Sequence, residues 1–312
     1  MRSLYLLFTL LLFLLSRLTM RLSILPLLLL LAVFGIACEP ASPPAPSDTA
    51  PSAAEQARTS LEASDGGQLV LRTIEAHGGL EAWYDAPTSS YTWEYANLDG
   101  DIRFKSFLVA DNASRRVYHD LMTLGTYDNA EPVAARFAWD GTDAWMSPDT
   151  ISNPNPRFWA TTGYYFQSIP FILADPGLTY ERQPDAELNG TTYELVKVGF
   201  EDGVGDSSGD TYTLYVHPET SLVDAIRYTV TFGRGRPADD AQPRETLMFY
   251  EDYVTVDGLT TPTRFRGFHY GDGAIIRPKN DAWSDSISFR RPFDESKLAM
   301  PSNARIAPAP GS

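Results

Sequence analysis

The chain has 312 residues and carries 25 Lys and Arg against 40 Asp and Glu, a formal charge of −15. A surface this acidic repels phosphate backbones and anionic headgroups, so it argues against nucleic-acid partners and against membrane attachment through basic residues. Apolar residues make up 43% and aromatics 12%, enough for a sizeable core, and the single cysteine excludes an intramolecular disulfide.

Residues 1–37 read as a signal peptide. Two apolar runs, Leu4 to Leu15 and Leu22 to Ala37, flank Ser16, Arg17 and Arg21. Each is shorter than the roughly 20 apolar residues that cross a bilayer. Arg21, the uncharged run and small Ala37 are the three parts of an export signal, and Met20-Arg21 reads as its true start. Cys38 follows directly. The run Gly35-Ile36-Ala37-Cys38 resembles a lipobox, with Gly35 where leucine is usual. Cys38 is therefore the expected lipidation site, carrying acyl chains such as palmitate. Removing the leader takes Arg2, Arg17 and Arg21 from the 25 basic residues and no acid, leaving 22 against 40 and a charge of −18. The acyl chains, not charge, are then the expected hold on the membrane. Glu39 is not the aspartate that retains lipoproteins at the inner membrane of some bacteria, which favours the outer membrane and leaves the face open.

Residues 38–64 read as the lipidated cysteine and a disordered Pro/Ala/Ser tether without apolar period. A domain over 65–295 follows, then a flexible C-terminal tail over 296–312. Leu69, Val70, Ile74 and Ala76 predict a helix capped by Asp65 and stopped at His77-Gly78-Gly79, with a second short turn over LEAWYDA. His77 is expected to complement the dipole at that helix end.

After Pro87 the period becomes two. Tyr91, Trp93 and Tyr95 share a face, as do Ile102, Phe104, Ser106 and Leu108, and then Val133, Ala135, Phe137 and Trp139. Short turn-rich links make this a meander of antiparallel hairpins. A second meander of similar style runs from TTYELVKVGFE to SDSISFRRP. In LVDAIRYTVTF, Leu222, Ile226, Tyr228, Val230 and Phe232 share a face, with Asp224 the exception. The predicted class is mainly β with minor helices: one antiparallel sheet of about 10–11 strands, too large to stay flat and so curled. Between the meanders, residues 154–176 are aromatic-rich and do not alternate. They predict one or two short helices, broken at Pro170, that plug or cover the sheet.

The helix ending in AHGG-LEAW, the strand SYTWEY and the late block NGTTYELVKV…YTLYVHPETSLVDAIRYTV together resemble the LolA/LolB-type lipoprotein-carrier superfamily. More narrowly, they resemble its outer-membrane lipoprotein-sorting-like members. The resemblance spans about residues 66–290. It implies an unclosed antiparallel half-barrel, a covering helix and an apolar cavity for acyl chains. LolB's protruding apolar loop has its nearest counterpart in Ile169-Pro170-Phe171-Ile172-Leu173.

Catalytic signals are poor, and no catalytic residue, metal site or cofactor is expected. His77, His119, His217 and His269 stand in unrelated contexts without zinc-ligand spacing. There is no G-x-S-x-G elbow. Residues 201–210 offer hard oxygens for calcium but lack EF-hand spacing, and a solvated hairpin loop is the expectation. Gly233-Arg234-Gly235-Arg236 reads as a hairpin turn. The candidate ligand-binding residues are aromatic: Trp93, Tyr95, Phe104, Trp139 and Trp145 from the strands, and Trp159, Tyr165, Phe166 and Phe171 from the central segment. The leading reading is a lipid-anchored, noncatalytic envelope protein that binds a lipid or other apolar ligand in the half-barrel. The alternatives are a scaffold or interaction lipoprotein whose concave face is filled by its own residues 157–173, and a hydrolase using carboxylates such as Asp140 or Asp143.

Overall fold

The computed structural model describes residues 50–201, 209–232 and 245–309. The leader, Cys38, the first part of the expected tether, most of the acidic loop, the Gly233–Arg236 turn and residues 310–312 lie outside the described residues.

Part of the expected tether is helical. Residues Ala53–Glu62 form α1, opened by a capping box in which the Ser52 hydroxyl accepts from the Glu55 N–H and the Glu55 carboxylate accepts from the Ser52 N–H. Its inward residues are Ala54, Ala57 and Leu61, a helical spacing made mostly of small side chains, so a hydropathy reading passes over it. Helix α2 (Asp65–Ala76) is capped by Ser64, one residue before the expected Asp65, and buries Leu69, Val70 and Ile74. It stops where glycine permits positive φ, at Gly78 (φ 125°) and Gly79 (φ 95°), and α3 (Leu80–Tyr84) follows. A Cβ on Gly67 would lie 2.1 Å from the Leu61 carbonyl oxygen, so α1 and α2 meet backbone to backbone only because that residue is glycine.

The first meander comprises β1 (Thr88–Asn97), β2 (Ile102–Asp111), β3 (Val117–Gly125), β4 (Ala130–Trp139) and β5 (Ala144–Ser147). Helix α4 (Pro156–Ser168) and a 3-10 turn (Phe171–Ala174) come next. The second meander holds β6 (Leu178–Leu188), β7 (Thr191–Phe200), β8 (Tyr212–Val216), β9 (Val223–Thr229) and β10 (Glu245–Glu251). After a small ribbon of β11 (Val254–Val256) and β12 (Leu259–Thr261), β13 (Arg264–Gly271), β14 (Ala274–Ser288) and β15 (Arg305–Ala307) complete the chain.

Among the described residues, thirteen strands make one curled, unclosed antiparallel sheet in the order β15-β5-β4-β3-β2-β1-β14-β13-β10-β9-β8-β7-β6. The pairing of β1 with β14 welds the two meanders, with Trp93 opposite Ser284 and Tyr95 opposite Ala282. The expectation of 10–11 strands falls short for local reasons. β6 has a polar, proline-containing sequence and shifts register between Gln183 and Ala186, as an edge strand tolerates. β15 lies in the expected tail, where Arg305–Ala307 pairs with Ala144–Met146. That tail is therefore partly ordered: Leu298 and Ala307 are buried.

β5 and β6 lie far apart in this order, so the chain between them must cross the sheet. It crosses over the concave face as α4. The helix touches β3, β4 and β5 at one end. At the other, the Tyr250 hydroxyl donates to the Phe166 carbonyl and the Gln167 amide donates to Thr261 and Pro262. The concave face carries the main core. The opposite face holds two smaller clusters, one around Trp145, Tyr118 and Leu298 and one around Tyr193, Tyr215 and Leu247.

Candidate functional site

The sheet alternation brings most of the nine candidate aromatics to the concave face, where α4 covers them. Trp93, Tyr95, Phe104 and Phe171 are buried, the first three packed around α4: the Trp159 ring lies 4.3 Å from Tyr95 and 5.1 Å from Phe104, and Trp93 sits 5.1 Å from Phe265. A Cβ on Gly163 would come within 3.3 Å of the Trp93 indole, so the helix presents a glycine where the ring is thickest. Phe166 packs on Tyr228 at 5.0 Å, and Phe171 stacks on Trp83 at 4.9 Å. Trp139 is half-buried beneath the Arg157 guanidinium, 4.3 Å from its centroid. Tyr165 points outward from α4 and is exposed.

Two expectations are corrected. Trp145 lies on the opposite face, packed with Val109, Tyr118 and Ala138, because strand alternation turns Met146 inward and its neighbour outward. The run Ile169–Leu173 is no protruding loop: Ile169, Phe171, Ile172 and Leu173 are all buried under the helical end of the molecule.

The histidines are structural in two cases. His77 caps α2 and is fully buried; its Nδ1–H donates to the Thr260 carbonyl at 2.8 Å, and its Nε2 accepts from the Val223 N–H at 3.3 Å. Burial, opposed by the Thr260 bond, pulls its pKa to about 4. It is therefore neutral at physiological pH and does not complement the helix dipole as a cation. His119 is buried between β3 and α4, donating from Nε2 to the Ala160 carbonyl at 2.9 Å and accepting from the Ser106 hydroxyl at Nδ1, also at 2.9 Å. Burial again lowers its pKa to about 4. The Ser–His pair has the atoms of a nucleophile and base, but both side chains are closed to solvent and the outer nitrogen serves a backbone carbonyl. Asp140 accepts from the Thr142 and Asp143 N–H groups in the β4–β5 turn, as a turn residue does. Among the described residues no group of three His, Cys, Asp or Glu is placed to hold a metal, and no helix is long and apolar enough to cross a membrane.

Open space lies elsewhere, at the helical end. A cleft of about 490 Å³ runs between α1, α3, the β2–β3 turn and the segment after the 3-10 turn. That volume falls in the range of about 300–1,000 Å³ typical of small-molecule sites. Ala53, Ala57, Ala86, Ala174, Pro87 and Pro176 give it low apolar walls, and Trp83 and Tyr84 contribute aromatic surface. Its charged lining is one ion pair: Arg115 Nη2 to Asp175 Oδ1, at 2.5 Å. Arg115 also donates to the Asn112 carbonyl and the Tyr164 hydroxyl. Burial pushes the Asp175 carboxyl up, against the pull of Arg115. On the guanidinium, burial would lower the pKa, but Tyr164 and Asp175 outweigh it and the net direction is up. Pairing therefore holds both groups in place despite the desolvation. The sequence reading missed this cleft. Its one local signal is Arg115-Arg116 in the turn after Asp111-Asn112, a position without hydrophobic pattern.

Similar folds occur among solved structures. A LolA superfamily protein from Nitrosomonas europaea matches with 9% identity over 76% of this chain and 99% of its own, TM-score 0.48. A DUF1329 family protein from Desulfovibrio piger matches with 10% identity over 74% and 95%, TM-score 0.40. A domain from Vibrio parahaemolyticus described as an outer membrane lipoprotein-sorting protein matches with 10% identity over 72% and 97%, TM-score 0.36. With TM-scores below 0.5, these likenesses carry nothing about function. No family model and no curated protein matches the chain.

Proposed function

We propose that this protein is a lipid-anchored, noncatalytic protein of the cell envelope, at the outer membrane, that binds a lipid or other apolar ligand in the cleft beside α1. The export signal and Cys38 support the address. The observation that carries the binding site is the contrast in filling: α4 packs the concave face with its own aromatics, while small side chains leave the helical end open. The cleft is therefore the site we propose, in place of the half-barrel cavity that the sequence suggests.

Helix α1 also shortens the expected tether. From Glu39 to Ser52 about 14 residues separate Cys38 from α1. The cleft wall formed by α1 therefore begins a short stretch of chain after the expected lipidation site.

Native mass spectrometry of the chain from Glu39 onward tests the reading. Co-purifying lipid, or displacement of a bound apolar dye by added lipid, is the expected result. A chain that carries nothing and binds no dye would select the second reading, an interaction scaffold, which the filled concave face favours. The address is tested separately: Cys38→Ala moves the protein from the membrane pellet to the soluble fraction, and unchanged pelleting refutes lipid anchorage.

A further inference from the structure

We propose that the ligand of the cleft is a single-chain amphiphile whose polar head carries no net charge, recognised by the Arg115–Asp175 pair. This rests on the cleft being the binding site.

Arg115 occupies the left-handed backbone region, with φ of 61°, in a turn where glycine, asparagine or aspartate is the usual occupant. Its side chain is nonetheless drawn inward and fixed by three acceptors: the Asn112 carbonyl, the Tyr164 hydroxyl and the Asp175 carboxylate. A left-handed backbone carrying a side chain with three hydrogen bonds marks a position where the arginine itself is needed. Asp175 stands at the end of the 3-10 turn, and both side chains keep partial exposure, 21% and 27%, toward the cleft.

Among the described residues lining the cleft these two are the only charged ones, and their charges cancel. A lone carboxylate head would meet Asp175 as well as Arg115, and a lone ammonium would meet Arg115 as well as Asp175. Either gains one contact and loses another, and either must shed its hydration in a mostly apolar slot. A hydroxyl head can donate to the carboxylate and accept from the guanidinium together, and an ester carbonyl beside it can accept from the guanidinium. A zwitterion satisfies both by charge. The alanine and proline walls stand low on either side, so what they accommodate is a narrow alkyl chain.

The test uses the chain from Glu39 onward, which contains every described residue, and four probes with the same twelve-carbon chain below their micelle concentrations. These are monolauroylglycerol, dodecylphosphocholine, laurate and dodecyltrimethylammonium, titrated by calorimetry. The neutral and zwitterionic probes are expected to bind at least tenfold more tightly than either charged one. Asp175→Asn leaves Arg115 without its counter-charge and should raise laurate affinity at least tenfold. Ala57→Leu, with an unchanged circular-dichroism spectrum, should reduce binding of all four by at least tenfold. If laurate or dodecyltrimethylammonium binds most tightly to the unmodified chain, the head assignment is overturned and the cleft stands. If folded Ala57→Leu binds as before, the cleft is wrong. If no probe binds, ligand binding itself fails.

Discussion

The concave face of the sheet and the cleft beside α1 are both bounded by helix and strand, yet one is lined by buried aromatic side chains and the other stands open. The difference is side-chain size. Where α4 meets the sheet, Trp93, Tyr95, Phe104 and Trp159 interdigitate, and Gly163 gives way to the thickest ring. Where α1 meets α3 and the β2–β3 turn, alanines and prolines meet alanines, and the space between them is too wide to close. Aromatic richness, taken from sequence as the mark of a ligand cavity, here marks the place where the protein has filled its own.

The largest way to break this contrast is to empty the filled side. Trp93→Ala should cost about 3–5 kcal/mol, read from urea denaturation, since a fully buried indole leaves a void that α4 cannot collapse into. A loss below about 1 kcal/mol would mean the concave face is loosely packed.

Acid acts on both regions, through His119 beneath α4 and His77 at the helical end. Each has a folded pKa near 4, below the ordinary 6.5, so the unfolded chain binds more protons across that interval. The stabilisation of the neutral form is complete above about pH 6.5 and is lost as pH falls toward 4, by about 2–3 kcal/mol per histidine. Urea midpoints at pH 7 and pH 4.5 measure the drop. His119→Gln should lower stability at pH 7 and remove its share of the slope; an unaltered slope would show that His119 does not titrate in this window.

Gly67→Ala sharpens the open side. With a Cβ 2.1 Å from the Leu61 carbonyl oxygen, α1 must move off α2, at a cost of about 1–3 kcal/mol. Hydrogen exchange should rise in α1 and remain unchanged in α4. The smallest effect is that of Ser52→Ala, which removes the capping box and should cost about 1 kcal/mol. Its exchange signature should be confined to the first turn of α1.

Much of the fold was legible because strand alternation is local. The shared faces of Tyr91, Trp93 and Tyr95, and of Val133, Ala135, Phe137 and Trp139, all point into the concave core as their spacing predicts. The exception flagged at Asp224 has a local cause that only pairing reveals. A register shift between Tyr215 and Val216 sets Val223 opposite Val216 and turns Asp224 to the other face, where it accepts from the Tyr193 hydroxyl. The candidate site was less legible. Arg115 and Asp175 are 60 residues apart, and no pattern in either segment announces the other.

By itself the sequence determined the lone cysteine, the two meanders and the aromatic segment between them, because each is a matter of composition or of neighbours along the chain. The tertiary structure decided that the aromatic segment packs on the sheet, that Ala53–Glu62 folds onto the domain and that an open cleft lies beside it. Those outcomes depend on the order in which strands pair. That order put β5 and β6 far apart in the sheet and obliged α4 to cross the concave face.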